Sequence, residues 1–175
     1  MRAISHRDLA YCGVFGALAL LMPVVFHLVR LGHVFMPMYL PLMALACFVR
    51  PMPAASTALF VPLISAAMTG MPPFYPPVAL GMATELAMMA ALFAAARQRW
   101  PKHPVLAHLL PVLLLGRAYY VAFMYAAAQL IDLPAAFVAG LSLLSGWPGI
   151  ILMVVIIPAL HRIRRPIAVP ISEAS

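Results

Sequence analysis

The sequence predicts an all-α integral membrane protein in which six transmembrane helices form one domain. Hydrophobic residues occupy 66% of its 175 positions and charged residues only 9%, whereas soluble domains carry about 25% charged residues. The mean hydropathy of +1.04 points the same way. Most basic residues flank the apolar runs, which is typical of topology signals and not of a nucleic-acid-binding face. We therefore expect contact with a lipid bilayer and none with nucleic acid.

The first predicted helix follows Ser5-His6-Arg7-Asp8, a capping-box pattern. It is too long for the apolar part of a signal peptide, about 7–15 residues. Arg50-Pro51-Met52-Pro53 predicts a tight turn between the second and third helices. These two helices are short for a span of about 20 residues, which requires tilt or irregular backbone. The predicted helices cover residues 8–29, 37–49, 54–68, 77–96, 104–131 and 134–161.

The basic residues predict that both termini face the cytoplasm. With the N-terminus inside, the cytoplasmic segments hold nine of the eleven basic residues, an asymmetry that matches the positive-inside rule. Of the other two, Arg30 lies outside and Arg117 within a span. Residues 1–166 form the predicted domain, and residues 167–175 are expected to be a disordered cytoplasmic tail. The nine are Arg2, Arg7, Arg50, Arg97, Arg99, Lys102, Arg162, Arg164 and Arg165.

Two charged residues interrupt long apolar runs, Glu85 in the fourth helix and Arg117 in the fifth. A charge at membrane depth is expensive and usually has a functional role. Arginine also offers two parallel donors to a carboxylate or phosphate. The sequence leaves open whether Arg117 pairs with Glu85 or with an anionic ligand. Together with the proline-rich loop at residues 70–77, the two charges predict a polar pocket near the outer side.

Further candidates for substrate binding are aromatic or imidazole side chains. Tyrosine and tryptophan also gather at membrane interfaces without binding anything, so both interpretations stay open for these aromatics. His33 is a candidate polar residue of the pocket or its gate; it lies six positions after His27, which is not a helical metal spacing. The aromatic candidates are Tyr39, Tyr75, Tyr120 and Trp147.

Small residues recur on two of the predicted helices. Alanines at every fourth position from Ala79 to Ala95 predict one closely packed face of the fourth helix, with Glu85 pointing to nearly the opposite side. Gly13 and Ala17 form a small-xxx-small pattern on the first helix. This pattern serves either packing within the chain or docking of another membrane subunit.

No catalytic motif or metal-ligand spacing is present in the sequence. HExxH, GxSxG and the phosphate-binding Walker loop are all absent, and a single carboxylate at membrane depth excludes a paired-carboxylate mechanism. We expect no enzyme activity, no bound metal and no cofactor. ATP-driven transport would require a partner that hydrolyses the ATP.

Short motifs spread along residues 8–162 provide a further indication. They are FMPMYLP at 35–41, PLIS at 62–65, TGMPP at 69–73, ELA at 85–87, GR at 116–117, WPGI at 147–150 and IP at 157–158. In this order they resemble the substrate-binding S components of energy-coupling factor vitamin transporters. Tyr39 stands where many members have histidine, and Gly13 with Ala17 where an alanine pair is usual.

The resemblance implies a six-helix bundle in the cytoplasmic membrane of a bacterium or archaeon that binds a vitamin or related micronutrient from outside. It implies a pocket built from the loop after helix 1 and the outer halves of helices 4 to 6, closed by the loop between helices 3 and 4. It also implies docking through Gly13 and Ala17 onto a transmembrane coupling subunit driven by two ABC-type ATPases. The alternative is a non-transport scaffold similar to rod-shape morphogenesis membrane proteins, in which Glu85 and Arg117 form a structural ion pair.

Overall fold

The computed structural model describes residues 5–28, 37–131 and 147–164 of the chain. Every regular element in these ranges is an α-helix, so the all-α prediction is confirmed for them. The helices, numbered in chain order, are α1 (His6–Leu28), α2 (Tyr39–Leu45), α3 (Pro51–Thr69), α4 (Val78–Arg99), α5 (Val105–Leu130) and α6 (Trp147–Arg164).

Four of the described helices, α1, α3, α4 and α5, are long and apolar enough to cross a membrane. This gives the chain the character of a membrane protein. α2 has seven residues and rises about 10 Å, which is too short to span a bilayer. The described part of α6 contains a shorter apolar stretch, Gly149–Arg162, and residues 134–146 of the predicted sixth span lie outside the described residues. The six spans and their orientation therefore stay predictions.

The predicted tight turn at Arg50-Pro51-Met52-Pro53 is wrong, because these prolines begin α3. Arg50 precedes Pro51 and adopts an extended backbone with φ −73° and ψ 164°, since proline excludes its predecessor from the helical region. Pro51 is the first residue of α3, a position where the missing N–H costs nothing. α3 is therefore 19 residues long, longer than the predicted third helix. It ends at Thr69 and is capped by Gly70, whose φ of +73° is the left-handed conformation that favours glycine.

α4 is the most buried of the candidate spans. It contacts α3, α5 and α2, while α1 packs on α2 and α3, and α6 packs on α2 and α5. The apolar core joins these helices through fully buried side chains. Examples are Leu42, Leu86, Phe93, Leu109 and Ile157.

Charged side chains gather at one end of the bundle, which we call the basic end. Arg50 at the start of α3 forms an ion pair with Asp8 of α1, 3.2 Å between Nη2 and Oδ2. Arg97 near the end of α4 donates to the Cys47 carbonyl at 2.6 Å and lies 3.2 Å from His161 Nδ1 of α6. The starts of α1 and α3 and the ends of α4 and α6 thus meet here. The loop at residues 70–77, between the end of α3 and the start of α4, belongs to the opposite end.

Candidate functional site

A buried cluster of charged and aromatic side chains joins three helices inside the bundle. Glu85 of α4 is fully buried, and its Oε1 lies 3.3 Å from Arg117 Nη2 of α5. The Tyr39 hydroxyl of α2 donates to Glu85 Oε2. The structure therefore brings together residues that stand far apart in the sequence. We call Tyr39, Glu85, Arg117 and Tyr120 the buried polar cluster.

Arg117 lies between two tyrosine rings. Its guanidinium carbon is 5.6 Å from the centre of the Tyr39 ring and 5.5 Å from that of Tyr120, within the range of cation–π attraction. Arg117 Nη2 also donates to the Tyr39 hydroxyl at 3.4 Å. The cation is held by an acid on one side and by two aromatic faces, so its position is well defined.

Small residues allow α4 and α5 to approach closely at the level of the cluster. A Cβ atom on Gly116 would overlap the Met89 side chain, and one on Gly81 would lie 2.9 Å from Phe123 Cδ1. Neither glycine can therefore be enlarged without moving its neighbours. Gly116 directly precedes Arg117 in the sequence, so this close approach brings the guanidinium within reach of the Glu85 carboxylate.

The predicted closely packed alanine face of α4 holds only in its first half. Ala79 and Ala83 are buried and Ala95 is exposed, while Glu85, two positions from Ala83 and Ala87, is buried together with Gly81 and Met89. The reason is geometric, because each four-residue step rotates by about 40° around a helix of 3.6 residues per turn. The stripe therefore winds from the core to the surface along α4.

Of the other predicted binding residues, only Tyr75 has a side chain within the described part of the chain, and it lies apart from the cluster. Tyr75 lies in the loop at residues 70–77 with 71% of its surface exposed. His33 lies outside the described residues. Trp147 begins α6, but its side chain lies outside the described part.

The loop at residues 70–77 is attached to the ends of the helices that flank it. Ser65 is buried in the last turns of α3 and donates to the Met71 carbonyl at 2.8 Å. The Ala79 N–H of α4 donates to the Pro73 carbonyl at 3.0 Å. Phe74, like Tyr75, is half exposed or more. The loop thus has fixed ends and exposed aromatic side chains.

Gly13 and Ala17, the predicted partner interface, lie on the surface of α1. Both are exposed, and a Cβ on Gly13 would meet nothing within 4 Å. Packing against α3 instead uses Gly16, where a Cβ would lie 3.6 Å from Thr57 and Val61. The small residues on the two sides of α1 therefore differ, and only those around Gly16 pack within the described chain.

Three cavities of the described residues lie away from the contact between Glu85 and Arg117. Cavities of about 810, 310 and 210 Å³ are lined by residues toward the basic end, and neither Glu85 nor Arg117 lines any of them. The described residues also contain no group of three or more metal-ligating side chains.

The sequence interpretation missed the role of Arg97, which it used only as a topology signal. Arg97 donates to the Ala46 and Cys47 carbonyls after α2, and its guanidinium carbon lies 5.9 Å from the centre of the Phe93 ring. The signal in the sequence was the spacing of four between Phe93 and Arg97, which places both on one face of a helix.

Comparison with known proteins adds no relative: no protein-family model, no curated protein and no solved structure matches the chain significantly.

Proposed function

We propose that the chain is a membrane-embedded substrate-binding subunit that captures a vitamin or a related micronutrient from outside the cell. The buried polar cluster is the observation that carries this proposal. A complete acid–base pair lies in a bundle built from long apolar helices, where a charge is costly. Charges at such depth usually serve a ligand or an ion path.

Stability alone is a weak explanation for this pair. Replacing a buried ion pair by apolar residues of similar volume is often neutral or stabilising, because desolvation offsets the attraction. Two apolar side chains at positions 85 and 117 would therefore stabilise the fold equally well. A cation held between two tyrosine rings also matches what a flat anionic ligand needs, a charge beside surfaces for stacking.

Ligand entry in this mechanism requires Glu85 and Arg117 to separate. The carboxylate or phosphate of the ligand would replace the Glu85 carboxylate at the Arg117 guanidinium, and Tyr39 and Tyr120 would contact its apolar part. The loop at residues 70–77 lies at the end of the bundle where α4 begins, two turns before Glu85. It would act as a lid, with Tyr75 as the aromatic side chain that turns inward; Trp147 and His33 would complete the pocket.

Delivery of the ligand would depend on partner subunits in the cytoplasmic membrane. The exposed face around Gly13 and Ala17 would dock on a transmembrane coupling subunit, and two ABC-type ATPases would hydrolyse ATP. The orientation required has the basic end in the cytoplasm and the loop at residues 70–77 outside. The resemblance to energy-coupling factor S components and the clustering of basic residues at one end support this arrangement.

A non-transport membrane scaffold is the second candidate. The direct contact between Glu85 and Arg117 favours it, because a scaffold needs only an ion pair that fixes α4 against α5. The two candidates differ in what the pair does: in a binding subunit it opens for a ligand, and in a scaffold it stays closed.

Native mass spectrometry of the purified protein, followed by thermal unfolding against a panel of vitamins, tests the proposal. A binding subunit carries a small molecule through purification or unfolds at a higher temperature with one member of the panel. The double variant Glu85→Gln with Arg117→Met should stay folded and lose this response. Asp8→Asn, which alters the ion pair at the basic end, should retain it. A protein that is empty and unaffected by every vitamin would favour the scaffold.

A further inference from the structure

A groove of about 810 Å³ lies between the C-terminal half of α4 and the N-terminal half of α5. None of the four residues of the buried polar cluster lines it. Most of its lining is apolar, including Leu92 and Ala96 of α4 and Pro111, Val112 and Leu115 of α5. Leu92 and Leu115 are 40% and 49% exposed, so the groove opens to the surroundings of the bundle.

The groove ends at a group of polar and aromatic side chains on the basic end. Trp100 is 52% exposed, and its ring stacks on that of His108 with 6.3 Å between the ring centres. His108 Nε2 also lies 3.1 Å from the Trp100 carbonyl oxygen. These contacts hold the indole at the mouth of the groove. Tryptophan is enriched at the level of lipid headgroups, where its ring meets apolar chains and its N–H meets water.

Arg99 supplies a cation at the same mouth. It lines the groove and is exposed, and it makes no hydrogen bond or ion pair with residues in the described ranges. Lys102 follows in the turn after α4 and is exposed as well. An apolar groove thus leads to basic groups that lack acidic partners in this part of the chain, which is the charge arrangement that complements an anionic headgroup.

The length of the groove matches one leaflet of a bilayer. Leu92 and Arg99 are seven residues apart on α4, and Ala107 and Leu115 are eight apart on α5, so the walls extend about 10–12 Å along each helix. The apolar core of a bilayer is about 30 Å thick, which leaves about 15 Å for each leaflet. A chain lying in the groove with its polar end at Trp100 would therefore remain within the leaflet of the basic end.

We propose that this groove binds one anionic phospholipid molecule. One acyl chain lies along the walls formed by Leu92, Val112 and Leu115, and the phosphate contacts Arg99, with Lys102 nearby. This site is independent of the proposed substrate-binding function, because it shares no residue with the buried polar cluster. It would make the stability of the α4–α5 pair depend on the lipid composition of the membrane.

Native mass spectrometry of the full chain, delipidated in detergent and titrated with lipid, tests the site. The probes are phosphatidylglycerol and phosphatidylcholine with identical acyl chains. We expect one tightly retained phosphatidylglycerol per chain, with several-fold weaker retention of phosphatidylcholine. Glycerol phosphate, which lacks acyl chains, should not compete at the same concentration. Equal retention of the two lipids, or competition by glycerol phosphate alone, would overturn the proposal.

Variants separate the headgroup contact from the apolar groove. Arg99→Gln should weaken phosphatidylglycerol retention by about fivefold, the effect of one basic side chain near an anionic headgroup. The matched control Arg162→Gln removes an exposed basic residue of α6 outside this groove and should leave retention unchanged. Ala96→Phe should fill the groove and reduce retention of both lipids. If Ala96→Phe does not fold, Leu115→Trp fills the groove from its exposed side.

The remaining outcomes are equally decisive. Folded groove-filling variants that keep full phosphatidylglycerol retention would show that the lipid binds elsewhere. A second copy of the chain that binds in place of lipid, seen as a dimer lost on Ala96→Phe, would assign the groove to a protein contact instead.

Discussion

The Arg117 guanidinium lies 3.3 Å from the Glu85 carboxylate, deep inside the helical bundle. The other ion pair of the described residues, Asp8 with Arg50, lies at the basic end, and its side chains are 12% and 35% exposed, against 0% for Glu85 and 20% for Arg117. Ion pairs that solvent can reach contribute less to stability, whereas breaking a pair whose acid is fully buried leaves an uncompensated charge. The two pairs therefore respond differently to the same kind of substitution.

Arg117→Met should destabilise the protein strongly, by about 3–5 kcal/mol, because the Glu85 charge would stay buried without its cation. Adding Glu85→Gln should restore most of this loss, since no charge then remains. Unfolding in detergent, followed by helical circular dichroism, measures both variants. A double variant as unstable as the single one would show that the pair itself, and not the orphaned charge, carries the stability.

Tyr39→Phe should destabilise the protein by about 1.5–3 kcal/mol, the range for a hydrogen bond to a charged group. The substitution removes the hydroxyl that donates to Glu85 and accepts from Arg117 Nη2. Tyr120→Phe is the control, because both variants keep a ring that faces Arg117, while the Tyr120 hydroxyl makes no hydrogen bond with the described residues. Unfolding curves for the two variants should separate clearly. An equal loss of stability in the two variants would contradict the role assigned to the Tyr39 hydroxyl.

Gly116→Ala should destabilise the α4–α5 contact by about 1–3 kcal/mol, the usual cost of overpacking. The new methyl group would overlap Met89, which is 2% exposed and has little space to move. Combining it with Met89→Ala should cost less than the sum of the two single substitutions, because the shorter side chain vacates the same space. Additive unfolding energies would refute this direct contact.

Lysine should not take over the role of Arg97 at the basic end, so Arg97→Lys should destabilise the protein. Arg97 uses one nitrogen for the Cys47 and Ala46 carbonyls and another for His161, and lysine offers a point charge in place of this planar fork. A loss of about 1–3 kcal/mol is expected from the unmade hydrogen bonds. Arg99 lies two positions further along α4 and is exposed, so Arg99→Lys should leave the thermal stability unchanged. Equal thermal stability of both variants would contradict the anchoring role.

Ser65→Ala should loosen the loop at residues 70–77 without unfolding the bundle. The hydroxyl is buried and donates to the Met71 carbonyl, so its loss frees the start of the loop. Hydrogen exchange should increase in the loop and remain unchanged in the core of α4. Ser56→Ala is a control, because Ser56 bonds within the first turn of α3. Unchanged exchange in the loop would show that other contacts fix it.

The apolar composition predicted the helical class and most helix positions correctly, because long apolar runs bounded by basic or proline residues have few alternatives in a bilayer. Prolines caused the main boundary error. The same Arg50-Pro51 step is compatible with a turn or with the first turn of a helix, and the sequence does not distinguish them. Which of the two forms depends on how α3 packs against α1 and α4.

The sequence predicts which charged residues belong to the candidate site, but it does not predict how the side chains of the site are arranged. Glu85 and Arg117 were identified because a charge in an apolar run is costly wherever it lies. Tyr39 and Tyr120 had an equally good interpretation as interfacial aromatics, and their burial at 2% and 4% exposure follows only from the packed helices. Tyr75, chosen by the same criterion, lies on the surface.

By itself the sequence determined that this chain forms apolar helices, where most of them begin and end, and that two charges lie among them. These properties depend on local composition and on the cost of exposing backbone or charge to lipid. Only the tertiary structure decided that Glu85 and Arg117 meet and that two tyrosines enclose the arginine. That outcome depends on how closely α4 and α5 approach at Gly81 and Gly116, which is a property of two packed surfaces and not of either helix alone.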